Sequence, residues 1–463
     1  MNQPPGPRSF PDLLRMLFAR KKNPIKLYED IFREYGDIAF FQLGSYRFAM
    51  LNDADAIEQV LQTEAKNFTK STGYERFKLI VGNGLLVSEE DVWRKQRRLM
   101  SWAFASKNIE RIHHVMVQET QDLVARWQGK KDIDLAEEMN LITLQIISVS
   151  LFGKSQIHEA NVIRESLQDM LKYLQTTKHL WIQFLLWPLP LKNKRELALK
   201  IEASLPFKDT RKFFKAIENV DRIVNAMIVE RKNKKESTNF LDAMIESTDS
   251  EDNTQMTSQQ LRDEVVNMLI AGHETTANAL TWTWRQMINH PEVYARVKEE
   301  MGRVVAGNAP TFEELPHLVY TKAVLEESMR LYPPFWRISR KNYAATTIKG
   351  YDIPAGTNVI ASIYTIQRSE THWPDALVFK PERFLGENKN HHRFAFIPFG
   401  GGPRACIGSQ FAIFEALTIM TICMKNYDFE KKFSEPAEYF ISLTLQPRDG
   451  CKVGLSPSGS KKS

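Results

Sequence analysis

The sequence predicts a mainly α-helical protein with small β-sheets, an α+β chain folded as a single large domain. Three observations carry that expectation. Apolar residues recur at helical spacing through most of the chain. β-Branched and aromatic runs bounded by turn residues are confined to two patches, Ile38 to Leu51 and Tyr343 to Ile363. One helical pattern continues from Thr257 to His290, and at ~1.5 Å per residue it makes a rod of about 50 Å, long enough to cross a domain.

The elements follow in chain order. Pro24 to Tyr35 is amphipathic and reads as a helix, and Ile38 to Leu51 reads as a hairpin turning about Gly44. Helical spacing returns over Ile109 to Gln128, Asp134 to Phe152 and Asn161 to Leu174. Trp181 to Leu191 is strongly apolar, but Pro188 and Pro190 forbid a continuous helix through it. Thr248 to Thr254 is a polar, acidic loop. Behind it, Thr257 and Gln260 are spaced for a capping box at the start of the long helix, and Pro291 stops it. Lys349-Gly350 and Pro354-Ala355-Gly356-Thr357 supply turns to the second strand-rich patch. An apolar helix begins near Ser409 and runs to Met424. No repeat and no sharp composition shift divides the chain, so residues 1–455 read as one domain and 456–463 as a disordered, Gly/Ser/Lys-rich tail.

Composition narrows the function classes. With 463 residues, 43% of them hydrophobic and 25% charged, the chain is neither disordered nor fibrous. A net charge of +6 is too mild to argue nucleic-acid binding. Three cysteines, Cys406, Cys423 and Cys451, cannot make a disulfide framework and fit a reducing compartment. No stretch of about 18 uncharged apolar residues occurs, and Pro4-Pro5-Gly6-Pro7 interrupts any leader. A soluble, cytoplasmic monomer without a transmembrane anchor is expected.

Chemistry concentrates in Phe399-Gly400-Gly401-Gly402-Pro403-Arg404-Ala405-Cys406-Ile407-Gly408. The glycines let backbone lie close against a flat object. Arg404 offers a planar fork for a carboxylate. Cys406, just ahead of a helix, meets the positive end of its dipole, which favours the thiolate. Together these describe a haem seat with sulfur as axial ligand; the plainer alternative is a Gly-rich loop with a buried cysteine. Cys423 and Cys451 lack such a setting. In the middle of the long helix, Ala271-Gly272-His273-Glu274-Thr275-Thr276 is locally costly, Gly alone by about 1 kcal/mol against Ala. Read by itself, it is a packing notch with a satisfied polar cluster.

Competing metal and nucleotide readings fail on spacing. No histidine follows His273-Glu274 at the zincin position, and no Cys-x-x-Cys occurs. His113-His114 and His391-His392 read as surface pairs. The Gly400–Gly402 run lacks the Lys-Ser/Thr of a phosphate loop, and without a dinucleotide fingerprint the chain holds no flavin or nicotinamide module.

These segments, in this order, resemble the cytochromes P450. Phe399, Gly402, Arg404, Cys406 and Gly408 match every position of that family's haem-binding pattern. The resemblance implies the cytochrome P450 fold around one haem b, with Cys406 as iron ligand, the arrangement by which the family promotes O–O cleavage. Glu327-Ser328-Met329-Arg330, followed by Leu331-Tyr332-Pro333-Pro334 and by Pro381-Glu382-Arg383-Phe384, is similar to the family's Glu-x-x-Arg helix and its partner segment. It implies a buried structural network of Glu327, Arg330 and Arg383 that orders the haem-side loop. Trp93-Arg94-Lys95-Gln96-Arg97-Arg98 resembles the helix over a haem propionate. By that likeness Trp93, Arg97 and Arg404 hold propionates, with Arg340 placed as a further such arginine. The outward Arg94 and Arg98 would dock an acidic redox protein. The Ala271–Thr276 segment resembles the oxygen-activating stretch, in which Glu274 and Thr275 manage proton delivery and Ala271 offers a small surface on the same face. His273 is then a packing or hydrogen-bonded residue, not an iron ligand.

The implied function is a haem-thiolate monooxygenase. It would take electrons from a separate ferredoxin- or flavodoxin-type partner and its reductase, activate O2, and hydroxylate or epoxidise an apolar substrate such as a fatty acid, terpenoid or steroid. The Pro-rich segment that follows a membrane anchor in microsomal relatives starts here at Pro4, so the expected member is soluble and bacterial-like unless a leader was trimmed. Tyr74 to Leu86, Met268 to Thr275, Phe335-Trp336 and Leu443-Thr444 are expected at the substrate pocket. The Trp181–Leu191 run is access-channel lining or a core hairpin, with contact to a membrane surface as a third reading. The rival enzyme uses peroxide or rearranges an oxygenated substrate without electron donors, and the intact Glu274-Thr275 pair ranks it lower. A gas sensor would need a signalling domain, and an electron carrier needs no proton relay.

Overall fold

The computed structural model describes residues 2–8, 12, 23–153, 157–174, 201, 208–232, 239–386, 391–441 and 443–459. The Trp181–Leu191 run lies outside the described residues. The architecture is mainly helical with small sheets, as the periodicity predicts. The chain folds into two compact units: 1–74 with 104–146 and 271–463, and 75–103 with 147–270. No linker announces this division, because its crossings fall inside or at the ends of helices.

All the strands described belong to the first unit. β1 (Ile38–Leu43) and β2 (Tyr46–Leu51) form the expected hairpin, with Gly44 at φ +57° in its turn. They join β8 (Asn358–Ser362), β5 (Arg337–Asn342) and β3 (Phe68–Lys70) in the order β1-β2-β8-β5-β3, where only β2 and β8 run parallel. Alternation along the strands sends side chains to two cores. Ile38, Phe40, Ala49, Leu51, Val359 and Ala361 enter one, with Trp373 and Phe394. Ala39, Phe41, Met50 and Ile360 enter the other, under helix α1 (Pro24–Tyr35). Asn23 caps α1, its Oδ1 accepting from Ile25 N at 3.0 Å and Lys26 N at 3.2 Å. β4 (Asp132–Asp134) and β9 (Tyr427–Lys431) flank β12 (Lys452–Pro457) in a three-stranded sheet. Two small ladders complete the set, β6 (Thr346–Ile348) with β7 (Tyr351–Ile353) and β10 (Tyr439–Ile441) with β11 (Leu445–Pro447).

The second unit is helical. Helix α2 (Glu90–Ala103) precedes α3 (Ser106–Ala125), which belongs to the first unit. α4 (Leu135–Phe152) passes from one unit to the other. α5 (Ile157–Leu174) lies against α6 (Lys208–Lys232), where the Tyr173 ring stacks on Phe213 with centroids 4.2 Å apart. α7 (Phe240–Glu246) is tied to α6 by Arg231 Nε donating to Asp242 Oδ1 at 2.7 Å. The long helix, α8 (Ser258–Asn289), begins in this unit and continues into the first. Its capping box forms: Gln260 N donates to Thr257 Oγ1 at 3.2 Å, and Thr257 N to Gln260 Oε1 at 2.9 Å. Pro291 opens the next helix, α9 (Pro291–Val304), so it ends one rod and starts another. α10 (Val319–Leu331) and α11 (Ser409–Asn426) follow, and α11 packs on α3.

Several expectations change. β12 extends to Pro457 and pairs Ser456 with Asp428, so the start of the supposed tail is strand. Trp336, expected at the pocket, is 5% exposed and lies in the core against the Tyr28 ring. His113 is buried on α3 near Thr418, and desolvation lowers its pKa. His391 lies against the Trp373 ring, while His392 faces Asp55 and Glu58. Neither histidine pair is a plain surface pair. The helix α4 is apolar enough to span a membrane by length and composition alone, but 56% of that window is buried in the protein and it carries Glu137 and Glu138.

Candidate functional site

The Phe399–Gly408 segment is a tight loop leading into α11. Gly400 N donates to Ile397 O at 2.9 Å, Ala405 N to Gly402 O at 3.1 Å, and Cys406 N to Phe399 O at 2.8 Å. The last bond folds the cysteine back over the start of the loop. Gly402 has φ +68°, and a Cβ there would stand 1.9 Å from the Leu61 carbonyl oxygen, so no side chain is tolerated. A Cβ on Gly401 would strike the Phe394 ring at 2.5 Å. These two glycines are therefore demanded by the protein's own packing, a reason the motif alone does not disclose.

Cys406 stands two positions before Gly408, the N-cap of α11, and is exposed. Cys423 and Cys451 are buried, and desolvation raises both thiols far above their usual range. Of the three, only Cys406 combines accessibility with a helix N-terminus, the setting in which a thiolate is stabilised and can ligate a metal. Arg404 ends the short 3-10 turn Gly402–Arg404. Arg340 is buried on β5 and donates to Ser339 O at 3.1 Å.

A buried ion network supports this loop. Arg330 Nε and Nη2 bind the two oxygens of Glu327 at 2.7 and 2.8 Å, and both residues are fully buried. Arg330 also donates to the carbonyls of Gln367 and Ala376, each at 2.7 Å. Arg383 Nε is 3.4 Å from Glu327 Oε1, and its Nη2 donates to Asp375 O. Gln367, which sequence reasoning missed, transmits the arrangement. Its amide donates to the Met329 and Arg330 carbonyls, and its Oε1 accepts from Ile397 N at 3.0 Å. Ile397 in turn anchors Gly400, so the network reaches the cysteine loop through named bonds.

On α8, Ala271 is exposed and Thr275 half-buried, one helical turn apart, whereas Ala277 and Leu280 are buried. Thr275 Oγ1 donates to Ala271 O at 2.7 Å, and Thr276 to Gly272 O at 3.3 Å. The helix continues through Gly272 without a break. His273 is buried, and its carbonyl accepts from Thr143 at 3.1 Å. Glu274 is 7% exposed, and its Oε1 accepts from Thr444 Oγ1 at 2.6 Å and Gln446 Nε2 at 2.5 Å. Sequence reasoning also passed over Glu415. It is the one charged residue between Ser409 and Met424, and that isolation in an apolar run was the available signal. Glu415 is fully buried, and desolvation raises its carboxyl well above the ordinary 4.5.

Trp93 and Arg97 lie in the other unit, on α2, both half-buried. Of the two arginines expected to dock a redox protein, Arg98 is engaged within its own unit, while Arg94 stays exposed. Arg98 forks onto Asp249 with two bonds of 2.9 Å and also reaches Glu251. Lys95 pairs with Asp252, and Arg94 with Asp91. The acidic loop neutralises much of this basic helix from within its own unit. Leu443 and Thr444 do not form a pair of pocket residues: Thr444 is fully buried at Glu274.

The residues present fit a haem. An exposed thiol at a helix N-terminus supplies a ligand, a loop held by glycines that admit no Cβ presents it, and Ala271 and Thr275 leave an accessible small-residue face on α8. Comparison with known proteins agrees. The family description Cytochrome P450 matches residues 4–452. A cyclooctat-9-en-7-ol 5-monooxygenase of Streptomyces melanosporofaciens is 30% identical over 91% of this chain and 88% of its own. The chloroplastic protein LUTEIN DEFICIENT 5 of Arabidopsis thaliana is 28% identical over 93% of this chain and 74% of its own. Among solved structures, the heme domain of cytochrome P450DA aligns with a TM-score of 0.84 at 23% identity, covering 98% of this chain and 97% of that one.

Proposed function

The chain belongs to the cytochrome P450 family and is a monooxygenase of that family, and on that premise we propose that Cys406 ligates haem b and that the protein oxidises an apolar organic substrate with electrons from a separate ferredoxin- or flavodoxin-type partner. The observation that carries the ligand assignment is the contrast among the cysteines: Cys406 is exposed ahead of α11, and the other two are buried with raised thiol pKa values. Bound there, the haem would supply activation of O2 and thiolate-assisted O–O cleavage.

The chain's own residues do the rest. The loop from Phe399 to Gly408 fixes the sulfur's position through its backbone bonds, and Glu327, Arg330, Arg383 and Gln367 hold that loop rigid from behind. Arg404 and Arg340 offer guanidinium groups to the cofactor's carboxylates. Ala271 leaves space on α8. Thr275 keeps a hydroxyl at that accessible face, its proton given to Ala271 O and its oxygen left to accept. Glu274 is the acid one residue away, so the pair can hold and pass a proton. An apolar, largely hydrocarbon substrate is supported by the printed name of the Streptomyces relative, which describes an alcohol of that kind.

The test is Thr275→Ala. With haem still bound, we expect product formed per electron pair to fall roughly a hundredfold, the low end of the range for a lost proton-transfer group, while hydrogen peroxide release rises. Unaltered coupling would remove Thr275 from the proposal.

A further inference from the structure

We propose that Thr444 and Gln446 are positioning residues for Glu274, holding its Oε1 as a permanent acceptor and reserving Oε2 as the oxygen that carries the proton. The inference rests on the functional reading above and deepens it. Thr444 Oγ1 accepts from Asn278 Nδ2 at 3.0 Å and from Gln446 Nε2 at 3.2 Å. A hydroxyl has two lone pairs and one proton. A carboxylate oxygen only accepts, so the Thr444 hydroxyl gives its proton to Glu274 Oε1, 2.6 Å away. Gln446 Nε2 donates to the same oxygen. A proton placed on Oε1 would face two donors, so it must sit on Oε2. That atom is buried and has no hydrogen-bond partner among the described residues.

The carboxyl is thus asymmetric by construction. One oxygen is pinned from β11 and the turn before it, and the other, without a partner among the described residues, is left to load or release a proton. Thr444 and Gln446 lie 170 and 172 positions from Glu274 in sequence, so no local pattern points to them.

The experiment compares Thr444→Val, Thr444→Ser and Gln446→Leu by two readouts. The first is the infrared carboxyl band of Glu274, assigned by its loss in Glu274→Gln and measured on purified protein without turnover. The second is product formed per electron pair in the haem-loaded enzyme. The proposal expects Thr444→Val and Gln446→Leu to shift the band and to lower coupling roughly tenfold each, the scale of one lost hydrogen bond to a charged group. Thr444→Ser should restore both. A band unmoved by Thr444→Val and Gln446→Leu overturns the pinning, and so does a shift that Thr444→Ser fails to reverse, because shape and not the hydroxyl would then be the cause. A wild-type protein that forms no product overturns the monooxygenase reading instead, and the infrared result separates the two failures.

Discussion

A carboxyl group sealed from water without a counter-charge keeps its proton, and Glu415 does so. It lies beside the Thr276 hydroxyl, yet neither of its oxygens has a well-formed hydrogen bond among the described residues. Its folded-state pKa is raised above the ordinary 4.5. The folded protein therefore holds a proton that the unfolded chain releases, and stability falls as pH rises above 4.5 toward the folded value. Glu415→Gln, neutral at every pH, should flatten that decline in urea unfolding measured from about pH 4 to 8. Equal slopes for both proteins would show that Glu415 is not held protonated. Residues of this kind set the limit of legibility. The cysteine loop could be read because its motif is contiguous. Gln446 and Gln367 could not, and Thr444 was placed at the pocket without its tie to Glu274, because folding alone brings these residues to Glu274 and Ile397 across long stretches of sequence.

At the scale of elements, the start and stop of the long helix were legible because a capping box and a proline mark them, at Thr257 and Pro291. The turn before α2 was not. There Gly82 and Gly84 lie against α8, and a Cβ on either would collide with Asp263 or Asn267, at 2.2 and 1.7 Å. Asn83 N donates to Asp263 Oδ2, and Leu85 N is shared by the oxygens of Glu264. Desolvation raises Glu264 to about 7, and the Leu85 bond only partly offsets it. The sign is the same as for Glu415. This contribution is full below pH 4.5, is lost as pH rises to about 7, and is constant above. We expect wild type to lose roughly 3 kcal/mol of stability across that window relative to Glu264→Gln. Parallel curves in chemical denaturation would contradict it.

At the scale of the molecule, the fold class was legible because helical periodicity dominates the chain. The division into two units was not, since it crosses α4 and α8 without a change of composition. The net charge of +6 also misleads when read locally, because Lys95 and Arg98 are matched by their own acidic loop. What holds the first unit's chemistry in place is the sealed Glu327–Arg330 pair. Glu327→Leu would leave Arg330 without its carboxylate and should cost ~3–5 kcal/mol, with haem retention falling in step; a loss below about 1 kcal/mol would show the pair to be incidental. The central claim concerns Cys406 and is tested most directly by the absorption spectrum of the haem-loaded, reduced protein under carbon monoxide. The wild type should show the strongly red-shifted Soret band of thiolate-ligated haem, and Cys406→Ala should lose it. A wild-type spectrum without that band, or a variant that retains it, would contradict the account.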